Sequence, residues 1–343
     1  MPELRKDPIS ARWSIISTER SKRPEAFVAN APKRTDALDA TCPFDEGRED
    51  QTCPEILSYR KKDSDKNGPG WSVRVVPNSE PVLKVEGDLG RRGVGMFDMM
   101  NGIGAHEIII ETPRHEEHIP EMENSQVENI LWAYRDRIVD LYRDKRIKSV
   151  MVFKNHRINP EFTHNHSLSQ LIALPILPKH VKEEMAGAKD YYDFKERCLY
   201  CDIVRQEIAE GIRVVDENKN FLLFCPYASR SPFEVNIIPK EHNSAYTTIT
   251  KEAIMDLAEI IKRYLKKIKA ALNDPPYNMM FHTRPSFVTP RQTVSTIDKD
   301  YHWHIEIVPK LTKLAGFEWG TGFFINPTSP EEGASFLRNL EDY

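Results

Sequence analysis

Apolar residues recur at helical spacing in two long stretches of the chain. Val127, Ile130, Leu131, Tyr134, Ile138 and Leu141 form one stripe, with Ser125 available as an N-cap. Ile254, Leu257, Ile261, Tyr264, Ile268 and Leu272 form the other, with Thr250 in the capping place. Each stripe predicts a core-packing amphipathic helix. Before each lies a β-branched run closed by a proline turn. Residues 106–111 end in Thr112-Pro113-Arg114-His115, and residues 233–238 end in Pro239-Lys240-Glu241-His242. After each helix the pattern predicts a strand, at 149–153 and 278–281, then a loop. A second strand follows, with histidines at its mouth: His164-Asn165-His166-Ser167-Leu168-Ser169-Gln170 in one case and Tyr301-His302-Trp303-His304-Ile305-Glu306 in the other. A cysteine segment opens each half, Cys42-Pro43-Phe44-Asp45 and Cys198-Leu199-Tyr200-Cys201. The same order therefore occurs twice. It predicts an α+β chain of two similar halves, 1–187 and 188–343, joined around 188–196.

Composition narrows the class. The 343 residues are 40% hydrophobic and 29% charged, as in folded globular chains rather than disordered ones. The formal charge of −4 argues against a generic nucleic-acid binder. No apolar run approaches the roughly 20 residues that span a bilayer, and residues 1–6 are too polar for a signal peptide. Five scattered cysteines do not make a disulfide framework, and the one Cys-X-X-Cys pair suits metal ligation in a reducing cytoplasm.

The metal-type residues follow the repeat. Zinc prefers four tetrahedral ligands from Cys and His, and the second half offers Cys198, Cys201, His242 and His302. The first half offers Cys42, His115 and His166, with Asp45 three residues after Cys42 and Cys53 as an alternative fourth ligand. A carboxylate gives a harder site, poorer in sulfur, and a first half without metal is the other outcome. On a strand, residues two apart share a face. His302 can therefore bind metal while His304 faces a neighbouring pocket as nucleophile or base.

These residues, in this order, resemble the galactose-1-phosphate uridylyltransferase family of the histidine-triad superfamily. The branch they resemble most has two zinc-bearing halves and includes ADP-glucose phosphorylase-like members. The resemblance runs over nearly the whole chain. It is carried by Arg5-Lys6-Asp7-Pro8-Ile9, Trp13-Ser14-Ile15-Ile16-Ser17, Arg20-Ser21-Lys22-Arg23-Pro24, Cys42-Pro43-Phe44, Val75-Val76-Pro77-Asn78, Phe153-Lys154-Asn155, Gly316-Phe317-Glu318 and Ile325-Asn326-Pro327. It implies two tandem histidine-triad-like halves, each an antiparallel sheet with a long packing helix. It implies a ping-pong nucleotidyl transfer between a nucleotide sugar and a sugar phosphate or phosphate, with zinc as the metal and a homodimer as the assembly. By position, Arg20 and Arg23 would lie near the phosphates, where guanidinium forks suit phosphate oxygens. Asn78 and Asn155 would contact the nucleotide and Glu318 the sugar hydroxyls.

The sequence departs from the family pattern at the catalytic strand, His-X-His-X-Gln. Aligning Gln170 puts His166 in the zinc place and Leu168 in the nucleophile place, and leucine has no lone pair to attack phosphorus. A shift of two residues keeps every side chain on its face and makes His164 the ligand and His166 the nucleophile. Spacing favours the unshifted register: His302 precedes Pro309 by seven residues, His166 precedes Pro175 by nine, and His164 precedes it by eleven. The loop at 156–162, where the family has glycines, contains none, and Pro160 has no N–H to offer a phosphate. The second half keeps a histidine, His304, where the first has Leu168. Three functions remain open: a nucleotidyltransferase, a nucleotide-sugar-binding protein without the covalent step, and a histidine-triad-type hydrolase or phosphorylase using His304.

Overall fold

The computed structural model describes every residue except 18, 20–26, 28–41, 158–165, 287–295 and 341–343. Arg20, Arg23, His164 and Pro160 therefore lie outside the described residues. The chain opens with a hairpin, β1 (Glu3–Lys6) and β2 (Trp13–Ile16). The first half then supplies β3 (Leu57–Arg60), β4 (Trp71–Pro77), an exposed hairpin of β5 (Arg92–Val94) and β6 (Phe97–Met99), and β7 (Ala105–Ile110). Helix α1 (Asn124–Leu141), β8 (Ser149–His156) and β9 (Leu168–Leu174) complete it. Helix α2 (Lys179–Lys195) leads to the second half and carries Ala188 in its middle. That half contains α3 (Leu199–Glu210), β10 (Val214–Glu217), β11 (Phe221–Phe224), β12 (Val235–Pro239), α4 (Lys251–Leu272), β13 (Tyr277–His282), α5 (Ile297–Asp300) and β14 (His304–Pro309). Helix α6 (Gly316–Thr321), β15 (Phe324–Asn326) and α7 (Pro330–Arg338) close the chain.

The two halves share one ten-stranded antiparallel sheet, ordered β10-β11-β12-β14-β13-β8-β9-β7-β4-β3. Outward from the centre, the first half reads β8, β9, β7, β4, β3, and the second reads β13, β14, β12, β11, β10. These are equivalent strands in equivalent order, so the repeat seen in the sequence is a repeat of structure. The seam is the β8–β13 pair, with Asn155 opposite Asn278 and Phe153 opposite Met280.

Both long helices lie against one face of this sheet. Every stripe residue named above, on α1 and on α4, is buried. Each fully buried Leu or Ile side chain contributes about 1.5–3 kcal/mol, so the stripes are the main cohesion of the helix layer. Thr250 caps α4 as expected, its hydroxyl accepting from the Ala253 N–H at 3.2 Å. Ser125 does not cap α1, because the helix begins two residues earlier than that cap would set it and Glu123 occupies the N-cap without a side-chain bond.

Strand alternation sends the other set of side chains to the opposite face. There Phe224, Asn236, Glu306, Met280 and Phe153 follow one another across five neighbouring strands. Over the second half this face is walled by α2, α3 and the N-terminal segment, leaving a cavity of about 990 Å³. Gly187 of α2 permits the closure: a Cβ there would overlap the Ile9 carbonyl oxygen. The small sheet β1-β2-β15 ties both chain ends to this wall, helped by Arg5 donating to Glu331 at 2.8 Å.

Candidate functional site

In the second half, Cys198 sits at the N-cap of α3 and Cys201 in its first turn. His242 lies just beyond β12, and His302 just before β14. One donor atom from each of the four lies within 4.8 Å of all the others. Cys201 Sγ is 3.4 Å from His242 Nδ1 and 3.7 Å from His302 Nδ1. His242 Nε2–H donates to the Asp298 carbonyl at 2.9 Å, which leaves Nδ1 for the centre of the group. The Cys198 thiol beside it, and then the two imidazoles, hold the Cys201 thiol well below its usual range. The neighbouring Cys201 and burial push Cys198 the other way. Two sulfurs and two nitrogens at this spacing fit a tetrahedral divalent metal.

The first half repeats the arrangement with one change of element. Cys42, Asp45, His115 and His166 bring one donor each within 4.8 Å. Asp45 Oδ1 is 2.9 Å from His115 Nδ1 and 3.3 Å from His166 Nδ1, and Cys42 Sγ is 3.8 Å from the latter. His166 Nε2–H donates to the Thr112 carbonyl at 2.7 Å. Both nitrogens of His166 are thus engaged, one by the backbone and one by the cluster. Cys53 is not in the group; its carbonyl faces Arg74 at 3.5 Å.

With His166 and His302 in equivalent places, the ladder pairs equate the rest. Leu168 matches His304 and Gln170 matches Glu306. Carrying the β8–β9 register two residues past the Phe153–Gln170 pair sets Asn155 opposite Leu168, so Asn155 matches His282, which lies opposite His304. Leu168 packs with Phe44, Trp71, Val76, Ile108 and Ile110 in a small apolar cluster. Behind it, Glu111 accepts from Lys154 at 2.6 Å, Ser167 at 2.6 Å and Tyr134 at 2.8 Å, and also from Ser169.

His304 lies in a different setting. It lines the large cavity and is 2% exposed. Its Nδ1–H donates to the His302 carbonyl at 3.1 Å, and among the described residues nothing hydrogen-bonds its Nε2. Its ring stacks on His282 at 4.6 Å between centroids. His282 is 3.0 Å from Glu184 and 3.5 Å from Glu306. Burial opposes its charge, but these two carboxylates outweigh burial and raise it to about 10. Arg230 bridges Glu234 and Glu306, at 2.6 and 2.7 Å. Glu184, His282 and His304 form a third group of metal-ligand type, with one donor each within 4.8 Å.

The remaining residues singled out by sequence are scattered. Asn155 lines the cavity edge and accepts from the Asn278 amide at 2.6 Å. Asn78 and Gln170 meet through His106, whose Nε2 is 3.2 Å from the first and 2.9 Å from the second. Glu318 caps α6 by accepting from the Ala315 N–H and does not line the cavity. His156 and Arg157, at the start of the glycine-free loop, are both tied to Asp274, at 2.9 and 3.0 Å.

Sequence reasoning missed Glu184, His282, Arg230 and Asn236. Period-two polarity could have found part of this set. Asn278 and His282, His304 and Glu306, and Glu234 and Asn236 place polar groups on one sheet face. Glu184, on a helix of mixed pattern, carried no such signal.

The model of the galactose-1-phosphate uridyl transferase N-terminal domain matches residues 1–178, and that of the C-terminal domain matches 182–332. The chain belongs to the galactose-1-phosphate uridyl transferase family. Within it, an ADP-glucose phosphorylase of Arabidopsis thaliana is 37% identical over 341 residues, covering 99% of this chain and 93% of that one. A galactose-1-phosphate uridylyltransferase of Thermotoga maritima is 28% identical over 99% of both chains. The solved structure of the Arabidopsis phosphorylase with bound ADP-glucose superposes with a TM-score of 0.82, at 35% identity and 99% coverage of both. A uridylyltransferase mutant superposes at 0.74, with 27% identity and coverage of 98% and 97%. These family members are enzymes of nucleotidyl transfer.

Proposed function

We propose that this chain is a nucleotidyltransferase acting on a nucleoside diphosphate sugar, and that His304 carries the transferred group. The observation behind this is the hydrogen-bonding of its ring. Nδ1–H is given to the His302 carbonyl at 3.1 Å, so the Nε2 lone pair is left to the cavity. In the first step Nε2 attacks the phosphorus next to the nucleoside. The N–P bond forms, the P–O bond to the sugar phosphate breaks, and the sugar phosphate leaves with the electron pair. In the second, an oxygen of another sugar phosphate, or of phosphate itself, attacks the same phosphorus and frees the histidine. Position 168 cannot take this role, and we read His166 as a metal ligand.

We read the second-half donor set as a zinc site and the first-half set as a site for the same class of ion. Zinc bound there would pin strand ends to loops and leave transfer to the side chains. In this reading Gln170 and Asn78 belong to a first-half nucleotide surface that has lost its nucleophile, while Asn155 lies at the edge of the second-half cavity. A cytoplasmic homodimer fits the thiol donors and the family, and light scattering on native protein tests the dimer.

A second reading is a nucleotide-sugar-binding protein without the covalent step. Leu168 favours it, as do the carboxylates of Glu184 and Glu306 beside the His304–His282 stack, which would repel a phosphate. The experiment is incubation with UDP-glucose or ADP-glucose labelled at the phosphorus next to the nucleoside. Transfer gives an acid-labile, base-stable adduct mapping to His304 and absent from His304→Asn. Binding without adduct favours the second reading. Metal content adds a check, because an ion held by Glu184, His282 and His304 would take the same Nε2: two ions per chain leave His304 free, and three do not.

A further inference from the structure

Asn236 sits in the floor of the second-half cavity, on β12, and is 8% exposed. Its amide oxygen is buried and has no hydrogen-bond partner among the described residues. Native sheets rarely leave such a group orphaned, and each instance calls for a cause. Its cross-strand neighbours do not supply one. On one side is Phe224, which is apolar; on the other is Glu306, already engaged by Arg230 and facing His282.

The fold itself does not need an amide here. Gln170 lies opposite Ile108 just as Glu306 lies opposite Asn236. The duplicated half thus places isoleucine at the equivalent point of the same sheet. The position relative to His304 is informative too. Glu306 is two residues along β14 from His304, so Asn236 is the diagonal neighbour of His304 across the ladder. Diagonal partners lie about 7–8 Å apart, so a group joined to a phosphorus at His304 could reach Asn236.

We infer that Asn236 is a recognition residue of this cavity, binding a ligand group that presents a hydrogen-bond donor beside an acceptor. A vicinal diol of a glycosyl unit has that edge, and so does a nucleobase. The inference rests on reading the cavity as the substrate site, but not on covalent transfer by His304. An amide has one oxygen acceptor and an NH₂ donor, so it matches either edge in two bonds.

The test is calorimetry on the full, metal-replete chain with two probes, glucose 1-phosphate and uridine monophosphate, each also run against Asn236→Ile. Isoleucine is chosen because the equivalent strand already accommodates it. A site built to bond a polar group discriminates strongly against its loss, so the recognised probe should weaken by about tenfold or more. Loss confined to glucose 1-phosphate assigns the residue to the glycosyl end, and loss confined to uridine monophosphate assigns it to the base. Asn236→Gln, which keeps the amide, should recover part of the affinity, and Asn236→Ala serves if isoleucine disturbs folding. The inference is overturned if neither probe binds the wild-type chain or if affinities are unchanged in the Ile and Ala variants. Weakened binding with no adduct on His304 retires the transfer reading alone. An adduct with unchanged affinities retires Asn236 alone.

Discussion

Asp45 stands in the first cluster where the second has Cys201, and this one exchange sets the two donor sets apart. Thiolates bind zinc-like ions tightly, whereas a carboxylate accepts harder ions and holds soft ones less firmly. Graded chelator should therefore remove metal in two stages, the first-half ion leaving first. Asp45→Cys should merge the stages, as read by metal content per chain at each chelator concentration. A second residue-level prediction concerns Glu111. Burial would raise its pKa, but Lys154, Ser167 and Ser169 outweigh burial and lower it. A depressed carboxyl contributes stability that is fully present above its unfolded value of about 4.5 and is lost as pH falls through the lower folded value. Glu111→Gln leaves the buried Lys154 ammonium without its partner, so urea unfolding at pH 7 should show a loss of about 3–5 kcal/mol. The donor sets were legible in the sequence because Cys and His were spaced twice in the same order. Glu184 and His282 were not, because a lone glutamate on a helix and a lone histidine at a strand end look like ordinary surface and core residues until the chain brings them together.

Elements were legible where their periodicity was strong. Both helical stripes lie on buried faces, since burying apolar area outweighs any local preference there. Cap positions were less secure: Thr250 caps α4, but a two-residue extension of α1 displaced Ser125 from its expected role. The wall of the cavity depended on a contact the sequence does not announce, the approach of the N-terminal segment to α2 at Gly187. Gly187→Ala should force these two elements apart. We expect destabilisation of about 1–3 kcal/mol, the usual cost of overpacking, measured by urea unfolding. Proteolysis near residues 6–12 should quicken in parallel, because that segment would lose its seat. The same variant should weaken any ligand held in the cavity.

At the scale of the molecule, the repeat was legible but the joining of the sheets was not. Strand periodicity shows which face a side chain takes, but it does not name the neighbour across a ladder. That pairing of β8 with β13 was settled by the mirrored order of two half-sheets meeting at their inner strands. Separate expression of 1–187 and 188–343 tests its weight: each piece alone should be poorly soluble, and mixing the two should restore soluble material, as seen by sedimentation. The reason is that each fragment would present a long, unprotected ribbon edge, a known template for aggregation. The seam also bears on how the protein can change. Because β8 gives Phe153 to the second half's cavity and Lys154 to the first half's buried charge pair, one strand serves two masters. A mutation that retunes either pocket through it is transmitted to the other, so the copies, however far their chemistry has drifted, stay mechanically betrothed.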